Sequence, residues 1–279
     1  GLSISRGQLS KVVRKVSGAL GRPYEELLDR LPSEARLGVD ETGHNDDGRR
    51  HWTWYFRAEA FTLFKIDPSR GSGVLQDVLG EAFGGVLGCD YFSAYRKYMA
   101  DAGATVQFCL AHLVREVRFF AEHSDKVLAR WGAKLLGHLR ELFGTLHRAA
   151  TMSDAAFRRA MARIRQAFLR QVRRPPDRLA ARPLAERFGK HGASYFTFLT
   201  TPGVEPTNNR TEQAIRFVVI DRRITQGTRG DPGQRWCERI WTVLATCAAQ
   251  GRSAFGFLLD SLLDAWSNHA GPSLLPEKA

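Results

Sequence analysis

Three acidic residues occupy places in the sequence where a carboxylate could carry out chemistry. Asp40 and Asp90 each follow a short apolar run, in "LGVD" and in "LGCD". Glu212 lies in the predicted first turn of a helix that opens with "PTNNRTE". If the two apolar runs are neighbouring strands, both aspartates emerge where a strand ends, and the longer glutamate can reach them from the helix.

Such a trio of acids suits divalent metal ions. Mg²⁺ prefers hard oxygen ligands, and two ions about 3.5–4 Å apart can activate a hydroxyl nucleophile and stabilise a leaving oxygen in phosphoryl transfer. We therefore expect Asp40, Asp90 and Glu212 to hold two Mg²⁺ ions, for which Mn²⁺ can substitute.

Each acid also has a purely structural interpretation. Asp40 could be a turn residue, and Asp90 could be the N-cap of a helix that starts at residue 91. Glu212 stands three residues after Asn209, a spacing close to that of a capping box. Only the joint placement of the three acids favours the metal-binding interpretation.

The elements that would position these acids follow an α/β pattern. Apolar and aromatic runs predict strands at 35–40, 51–58, 60–67, 86–89 and 104–110, with a turn at "HNDDG" between the first two. Helices are expected at about 73–83 and 91–102. On the second strand Trp52, Trp54 and Phe56 alternate with other residues, which predicts a single apolar face.

Beyond residue 110 the pattern is almost wholly helical. One apolar stripe is predicted between 157 and 172, formed by Phe157, Met161, Ile164, Phe168 and Val172. A second is predicted near the C-terminus, formed by Trp236, Ile240, Leu244 and Cys247. Trp131 is expected to be a core residue. The sequence thus divides into an N-terminal helical segment (1–34), the first part of an α/β core (35–110), a helical insertion (111–200), and the second part of the core with C-terminal helices (201–279).

The charge of the chain indicates a polyanionic partner. Among 279 residues, 41 Lys and Arg oppose 29 Asp and Glu, a net charge of +12. The excess is concentrated between 158 and 190, where ten Arg and one Lys meet two acids. Guanidinium groups pair with phosphate oxygens in a fork geometry, so this segment favours nucleic acid, although a solvated basic face is the alternative.

Composition argues against a membrane or a secreted protein. No apolar run approaches the roughly 18 residues of a membrane span, and no secretory leader is visible. Four scattered cysteines do not form a disulfide framework. We expect a cytoplasmic protein associated with the nucleoid.

Four motifs make the chain resemble the transposases of the insertion-sequence-66 family, members of the DDE group with an RNase-H-like fold. They are "VDET" at 39–42, "CDYFSAY" at 89–95, "CLAHLVRE" at 109–116 and "PTNNRTEQAIR" at 206–216. The resemblance implies an RNase-H-like mixed sheet with a large all-helical insertion between the second Asp and the Glu. It also implies that Asp40, Asp90 and Glu212 are the metal-binding catalytic triad.

The same resemblance suggests roles for residues around the triad. Cys109, His112, Asn208 and Asn209 are expected to support the active site. As a zinc site, Cys109 and His112 would supply only half of the ligands, so a structural or positioning role is favoured. The residues expected to contact DNA are Arg115, Arg173, Arg174, Arg210 and Arg216.

The functional prediction is a DNA transposase that cleaves transposon ends and transfers the strand into target DNA, acting as a homo-oligomer on DNA. Family members usually carry further N-terminal sequence that recognises the element's ends. This chain is therefore expected to be truncated, a fragment, or dependent on a partner. The alternative is a catalytically silent, transposase-derived DNA-binding protein; a metal-dependent nuclease that does not join ends is a third possibility.

Overall fold

The computed structural model describes residues 3–276, which form two compact units. One unit combines Gly1–Thr105 with Asn209–Ala279, and the other is Val106–Asn208. Both ends of the chain thus belong to the same unit. Within the described residues, no helix has the length and apolar character that crossing a membrane requires.

Five strands form one mixed sheet in the order β3-β2-β1-β4-β5. Their bounds are β1 Arg36–Asp46, β2 Arg49–Arg57, β3 Thr62–Asp67, β4 Val86–Cys89 and β5 Thr105–Phe108. β1 pairs antiparallel with β2, β2 antiparallel with β3, and β1 parallel with β4. The chain is therefore of the α/β class, as the sequence predicts.

The turn between β1 and β2 explains why β1 is longer than predicted. Asp47 and Gly48 both adopt positive φ, 49° and 82°, which is the two-residue geometry that fits the twist of a hairpin. Asp46 pairs directly with Arg49 across this turn. The prediction that the first strand ends at residue 40 is wrong, because pairing with β2 carries the strand on to Asp46.

Among the described residues of the first unit, seven α-helices accompany the sheet. They are α1 Arg6–Ala19, α2 Gly21–Arg30, α3 Gly73–Leu79, α4 Ser93–Ala102, α9 Asn209–Thr225, α10 Gly230–Gln250 and α11 Ala254–Trp266. One core cluster joins the sheet to α9 and α10, with Tyr55 and Phe64 packing against Val218 and Trp241.

β2 is buried on both of its faces around residues 53–56. Trp54, Tyr55 and Phe56 are at most 1% exposed, and Thr53 is buried as well. Trp54 packs edge-to-face on Tyr95, whereas Tyr55 belongs to the cluster with α9 and α10. The prediction of a single apolar face is therefore wrong, because helices cover the sheet at this strand on both faces.

β3 is an edge strand of the sheet, and side chains of α10 bind its outer edge. Thr246 accepts a hydrogen bond from the Thr62 N–H at 3.1 Å, and Thr242 accepts one from Phe64 at 3.1 Å. Glu238 accepts a third from the Ile66 N–H at 2.6 Å. These bonds occupy backbone donors that an edge strand otherwise offers to another chain.

This covering role also corrects the predicted face of α10. Leu244 is 41% exposed, whereas Trp241 and Cys247 are buried together with two threonines. The face turned toward the protein is thus partly polar, because it must satisfy the β3 edge. The predicted stripe is thus right at Ile240 and Cys247, which pack in the core, and wrong at Leu244.

The second unit is built from four long helices, as predicted for this part of the chain. They are α5 Leu110–Ala121, α6 Lys126–His147, α7 Asp154–Val172 and α8 Arg182–His191. The predicted α7 stripe is confirmed from Met161 to Val172, with Phe157 only half-buried at its start. Trp131 is a core residue, as expected: it packs on Phe120 and donates its indole N–H to the Gln171 carbonyl.

Candidate active site

The parallel pairing of β1 and β4 puts two aspartates at equivalent positions. Gly38 lies opposite Gly88, and Asp40 and Asp90 each follow two residues further along their chains. Asp90 is the first residue after β4, as predicted. Asp40 instead lies within β1, where it also faces Tyr55 of β2.

Backbone hydrogen bonds orient both carboxylates. Asp40 Oδ1 accepts from the Glu41 N–H at 2.9 Å, and Asp90 Oδ1 accepts from the Phe92 N–H at 2.8 Å. The helix after Asp90 begins at Ser93 with Phe92 as its N-cap. The alternative that Asp90 is the N-cap is therefore wrong; its carboxylate instead closes a turn just before that helix.

Glu212 shares an electrostatic environment with the two aspartates. It lies in the first turn of α9, as predicted, and α9 packs against β1 and β2. Burial, together with the charges of Glu41, Asp90 and Glu212, raises the pKa of Asp40 to about 7. Three acids that repel one another around a half-buried carboxyl form a site that a cation can stabilise.

A buried glutamate next to Asp40 organises the surroundings of the site. The Glu41 side chain is 2% exposed and accepts hydrogen bonds from the Tyr95 hydroxyl and from Arg70. Arg70 Nε and Nη2 reach Glu41 Oε1 at 2.9 and 2.8 Å. Burial raises the pKa of the Glu41 carboxyl, and the hydrogen bonds from Tyr95 and Arg70 partly offset this increase.

Arg70 also joins this glutamate to the turn that holds Asp90. Its guanidinium lies 3.9 Å from the ring centroid of Phe92 and 4.3 Å from that of Trp52. Phe92 is the residue whose N–H binds Asp90. Sequence reasoning assigned no role to Glu41, Arg70 or Tyr95, although Glu41 and Tyr95 stand in the motifs "VDET" and "CDYFSAY".

Three further predicted site residues lie on α9 with Glu212. Asn209 is its first residue, and Arg210 and Arg216 follow on the same helix. All three side chains are exposed, whereas Glu212 is half-buried. α9 therefore carries cationic groups beside the acid, and their contact with DNA stays a prediction.

The remaining motif residues belong to the second unit. Cys109 is buried directly before α5, and its sulfur accepts a hydrogen bond from the Asn208 N–H at 3.1 Å. His112 is in the first turn of α5, and Arg115 approaches it, with 3.4 Å between Nη2 and Nε2. Cys109 of "CLAH" and Asn208 of "PTNN" thus meet inside this unit, and the support that these residues give to the triad stays a prediction.

The arginine-rich segment is partly neutralised by acids of the same unit. Four of its arginines pair with carboxylates: Arg163 with Glu141, Arg178 with Asp125, Arg182 with Asp177, and Arg187 with Glu116. Arg173 and Arg174, the two predicted DNA contacts, are exposed at the end of α7. Arg173 donates to the Phe188 carbonyl at 3.5 Å.

Comparison with known proteins identifies the family of the chain. The profile of the Transposase IS66 family matches residues 1–235, a range that includes Asp40, Asp90 and Glu212. A comparison with curated proteins gives no match. The resemblance that the sequence motifs suggest is thus confirmed: the chain belongs to the IS66 family of transposases, a membership that indicates a DNA-processing enzyme.

Proposed function

We propose that the chain is a DNA transposase that cleaves transposon ends and transfers the freed 3′-hydroxyl to target DNA through a DDE triad of Asp40, Asp90 and Glu212. The equivalent positions of the two aspartates on β1 and β4, together with the effect of Glu212 on the pKa of Asp40, carry this proposal. Strand order and pairing support an RNase-H-like core for the first unit.

The donor set fits divalent metal ions. Three carboxylates offer the hard oxygen ligands that Mg²⁺ and Mn²⁺ accept. Two bound ions would supply activation of a water or a 3′-hydroxyl and stabilisation of the leaving oxygen. Asp40 and Asp90 would hold them from the sheet, and Glu212 would complete the coordination from α9.

Whether Asp40 can bind a metal ion depends on the protonation state of its carboxyl group. A carboxyl must be ionised to act as a ligand, and the Asp40 carboxyl has a pKa of about 7 with no cation beside it. A bound cation would offset the repulsion from Asp90 and Glu212 and would favour the ionised form of Asp40. Hydrogen bonds from the Glu41 and Phe92 N–H groups keep the two aspartates oriented.

The DNA would be held by basic residues in both units. Arg210 and Arg216 on α9 and the exposed Arg173 and Arg174 are the proposed backbone contacts, together with Arg115. Such contacts position the duplex without reading its sequence. We further propose that the protein acts on DNA as a homo-oligomer.

A strand-transfer assay tests the proposal. Purified chain is incubated with labelled duplexes taken from the inverted repeats that flank its reading frame, in Mg²⁺ or Mn²⁺. Wild type should yield cleaved and joined products, and Asp90→Asn should lower both by roughly two orders of magnitude or more, the scale expected for loss of a transition-state electrostatic contact. Asp29→Asn, which changes an exposed acid on α2, is the matched control and should retain activity.

The outcomes separate the competing functions. Full activity in Asp90→Asn would refute the triad. Metal-indifferent, salt-sensitive DNA binding without any cleavage would indicate the catalytically silent binding protein. Cleavage without joining would indicate a nuclease.

A further inference from the structure

We propose that a cationic cavity between the β1–β2 hairpin and the end of α9 binds a backbone phosphate of the DNA, away from the bond that is cleaved. The cavity has a volume of about 660 Å³, and Arg50, Arg222 and Arg223 line it. The inference rests on the proposed function, since it names a further contact between the enzyme and the same DNA. The sequence motifs point to none of these three arginines.

The cavity concentrates positive charge without acidic partners. Among residues 3–276, Arg50, Arg222 and Arg223 form no ion pair with a carboxylate. Burial and then the charges of Arg223 and Arg50 lower the pKa of Arg222. Three guanidinium groups that repel one another are stabilised when an anion enters between them.

Two of the guanidinium groups are held in place before any ligand arrives. Arg222 Nη1 donates to Thr42 Oγ1 at 3.0 Å. Arg50 lies over the Trp52 ring at 4.5 Å and passes close over Gly43, where an added Cβ would come within 3.3 Å of it. Planar donors fixed in this way lose little freedom on binding, and their fork geometry matches phosphate oxygens.

Backbone of β1 and of the loop after α9 also lines the cavity, at Asn45, Gln226 and Gly227. Asn45 donates its side-chain amide to the Gln226 carbonyl at 3.0 Å, and its own carbonyl accepts from the Thr228 N–H at 2.9 Å. Gly227 has a φ of 94°, and a Cβ there would lie 2.0 Å from the Asn45 oxygen. The loop after α9 is thus fastened to β1, so the cavity is part of the fold.

Asp46, the last residue of β1, is hydrogen-bonded to the loop after α9. Asp46 Oδ1 accepts from the Thr228 hydroxyl at 2.6 Å and from the Gly230 N–H at 2.9 Å. These bonds lower the pKa of the Asp46 carboxyl and tie its charge to the backbone of the loop. The residues that line the cavity therefore carry a net positive charge, since three of them are arginines and none is an acid.

The cavity lies along the same strand and helix as the proposed triad. Thr42, the partner of Arg222, is two residues beyond Asp40 on β1, on the same face of the strand. Glu212 and Arg222 are ten residues apart on α9, or about 15 Å at 1.5 Å per residue. At about 3.4 Å of axis per nucleotide, these separations along β1 and α9 would place the bound phosphate roughly two to four steps from the cleaved one.

DNA binding in the absence of metal tests the proposal independently of catalysis. The full chain is titrated against a fluorescent duplex in EDTA at several salt concentrations. The double variant Arg222→Gln/Arg223→Gln should weaken affinity about tenfold and lower the slope of log K against log salt by about one to two, as expected when phosphate contacts are lost. Thermal unfolding of the variant shows whether its fold is intact.

A matched variant controls for the loss of two charges. Arg14→Gln/Lys15→Gln removes the same charge from an exposed part of α1 and should change affinity less than about threefold. Arg50→Lys keeps the charge but loses the planar stacking group, so it should fall between wild type and the double variant. Equal salt slopes for the cavity variant and wild type would overturn the proposal, as would an equal loss in the α1 control.

Inorganic phosphate distinguishes DNA from a free anion as the ligand. Calorimetry with phosphate alone should detect no binding tighter than about 1 mM, because one small anion lacks the counterion release that a duplex supplies. Tight phosphate binding that the cavity variant abolishes, with unchanged DNA affinity, would make this a free-anion site and refute the inference. Strand transfer in Mg²⁺ is scored separately, so either proposal can fail while the other stands.

Discussion

Asp40 and Asp90 occupy equivalent positions on neighbouring parallel strands, each two residues beyond the paired Gly38 and Gly88. Their surroundings nevertheless differ. Asp40 is inside a strand and paired on its other side with β2, whereas Asp90 begins the turn into α4. The sheet therefore holds one carboxylate rigidly, and a turn anchored by Phe92 presents the other.

The first prediction concerns metal-linked stability. If the triad binds divalent ions only when folded, Mn²⁺ at 10–100 times its Kd should stabilise the protein by about 1–3 kcal/mol, a Tm rise of roughly 3–10 °C. Asp40→Asn/Asp90→Asn should lose this rise, while Asp29→Asn should keep it. The measurement is thermal unfolding with and without Mn²⁺, and an equal rise in all three proteins would contradict the assignment.

The second prediction concerns pH in the absence of metal. The pKa of Asp40 is about 7 in the folded chain against an ordinary 3.8, so between these values the folded state binds more protons than the unfolded state. Stability should therefore fall as pH rises from about 4 to 7 and level off above about 7. Burial also raises the pKa of Glu238 to about 7 and that of Glu41 above its ordinary value, and both groups act in the same direction. Burial lowers the pKa of His44 from 6.5 to about 4, and this group acts in the opposite direction.

Asp40→Asn isolates the contribution of one group. The variant should lose less stability than wild type over the same pH interval, because one of the buried carboxyls with a raised pKa no longer titrates. Tm measured in EDTA at several pH values provides the comparison. Parallel profiles for the two proteins would show that Asp40 does not carry the raised pKa.

The third prediction concerns the hydroxyl that binds Glu41. Tyr95→Phe removes a donor from a buried carboxylate, so we expect a loss of about 1.5–3 kcal/mol in the free energy of unfolding. Tyr98→Phe removes a hydroxyl that donates to the neutral Gly80 carbonyl, and should cost about 0.5–1.5 kcal/mol. Denaturant unfolding measures both, and a larger loss for Tyr98→Phe would contradict the importance of Glu41.

The fourth prediction compares two glycines of α6. A Cβ on Gly132 would lie 2.4 Å from the backbone nitrogen of Ala121 in α5, whereas one on Gly137 meets nothing within 4 Å. Gly132→Ala should destabilise the protein by about 1–3 kcal/mol through overpacking. Gly137→Ala should stabilise it by about 0.5–1 kcal/mol, since alanine is the better helix former.

Equilibrium unfolding of both glycine variants tests the packing of the second unit. The two substitutions make the same chemical change in the same helix, so the difference between them reports only the contact with α5. Equal effects would mean that α5 and α6 do not pack as closely as the structure indicates.

The parts of the site that sequence reasoning located are those governed by local rules. Asp90 follows a short apolar strand, and Glu212 stands in the first turn of a helix. The stripe of α7 is likewise read from helical spacing, because this helix buries a purely apolar face. In each case the neighbours in the chain contain the relevant information.

Contacts between distant segments decided the rest. β1 extends past Asp40 because β2 pairs with it, and the buried face of α10 is partly polar because β3 has an edge to satisfy. Neither the length of β1 nor the polar face of α10 can be predicted from the residue spacing within that segment alone. The same holds for the contact of Arg70 with Glu41 and Phe92.

By itself, the sequence determined the family, the α/β class, and which acids could bind metal. Sequence motifs, the apolar runs of strands and the first turns of helices can all be recognised from residues that are close together in the chain. The tertiary structure alone decided that Asp40 and Asp90 share a register, that Glu212 acts on the pKa of Asp40, and that Arg50 meets Arg222 and Arg223 in one cavity. The physical reason is that burial, charge repulsion and cavity shape arise only when segments far apart in the chain are packed together.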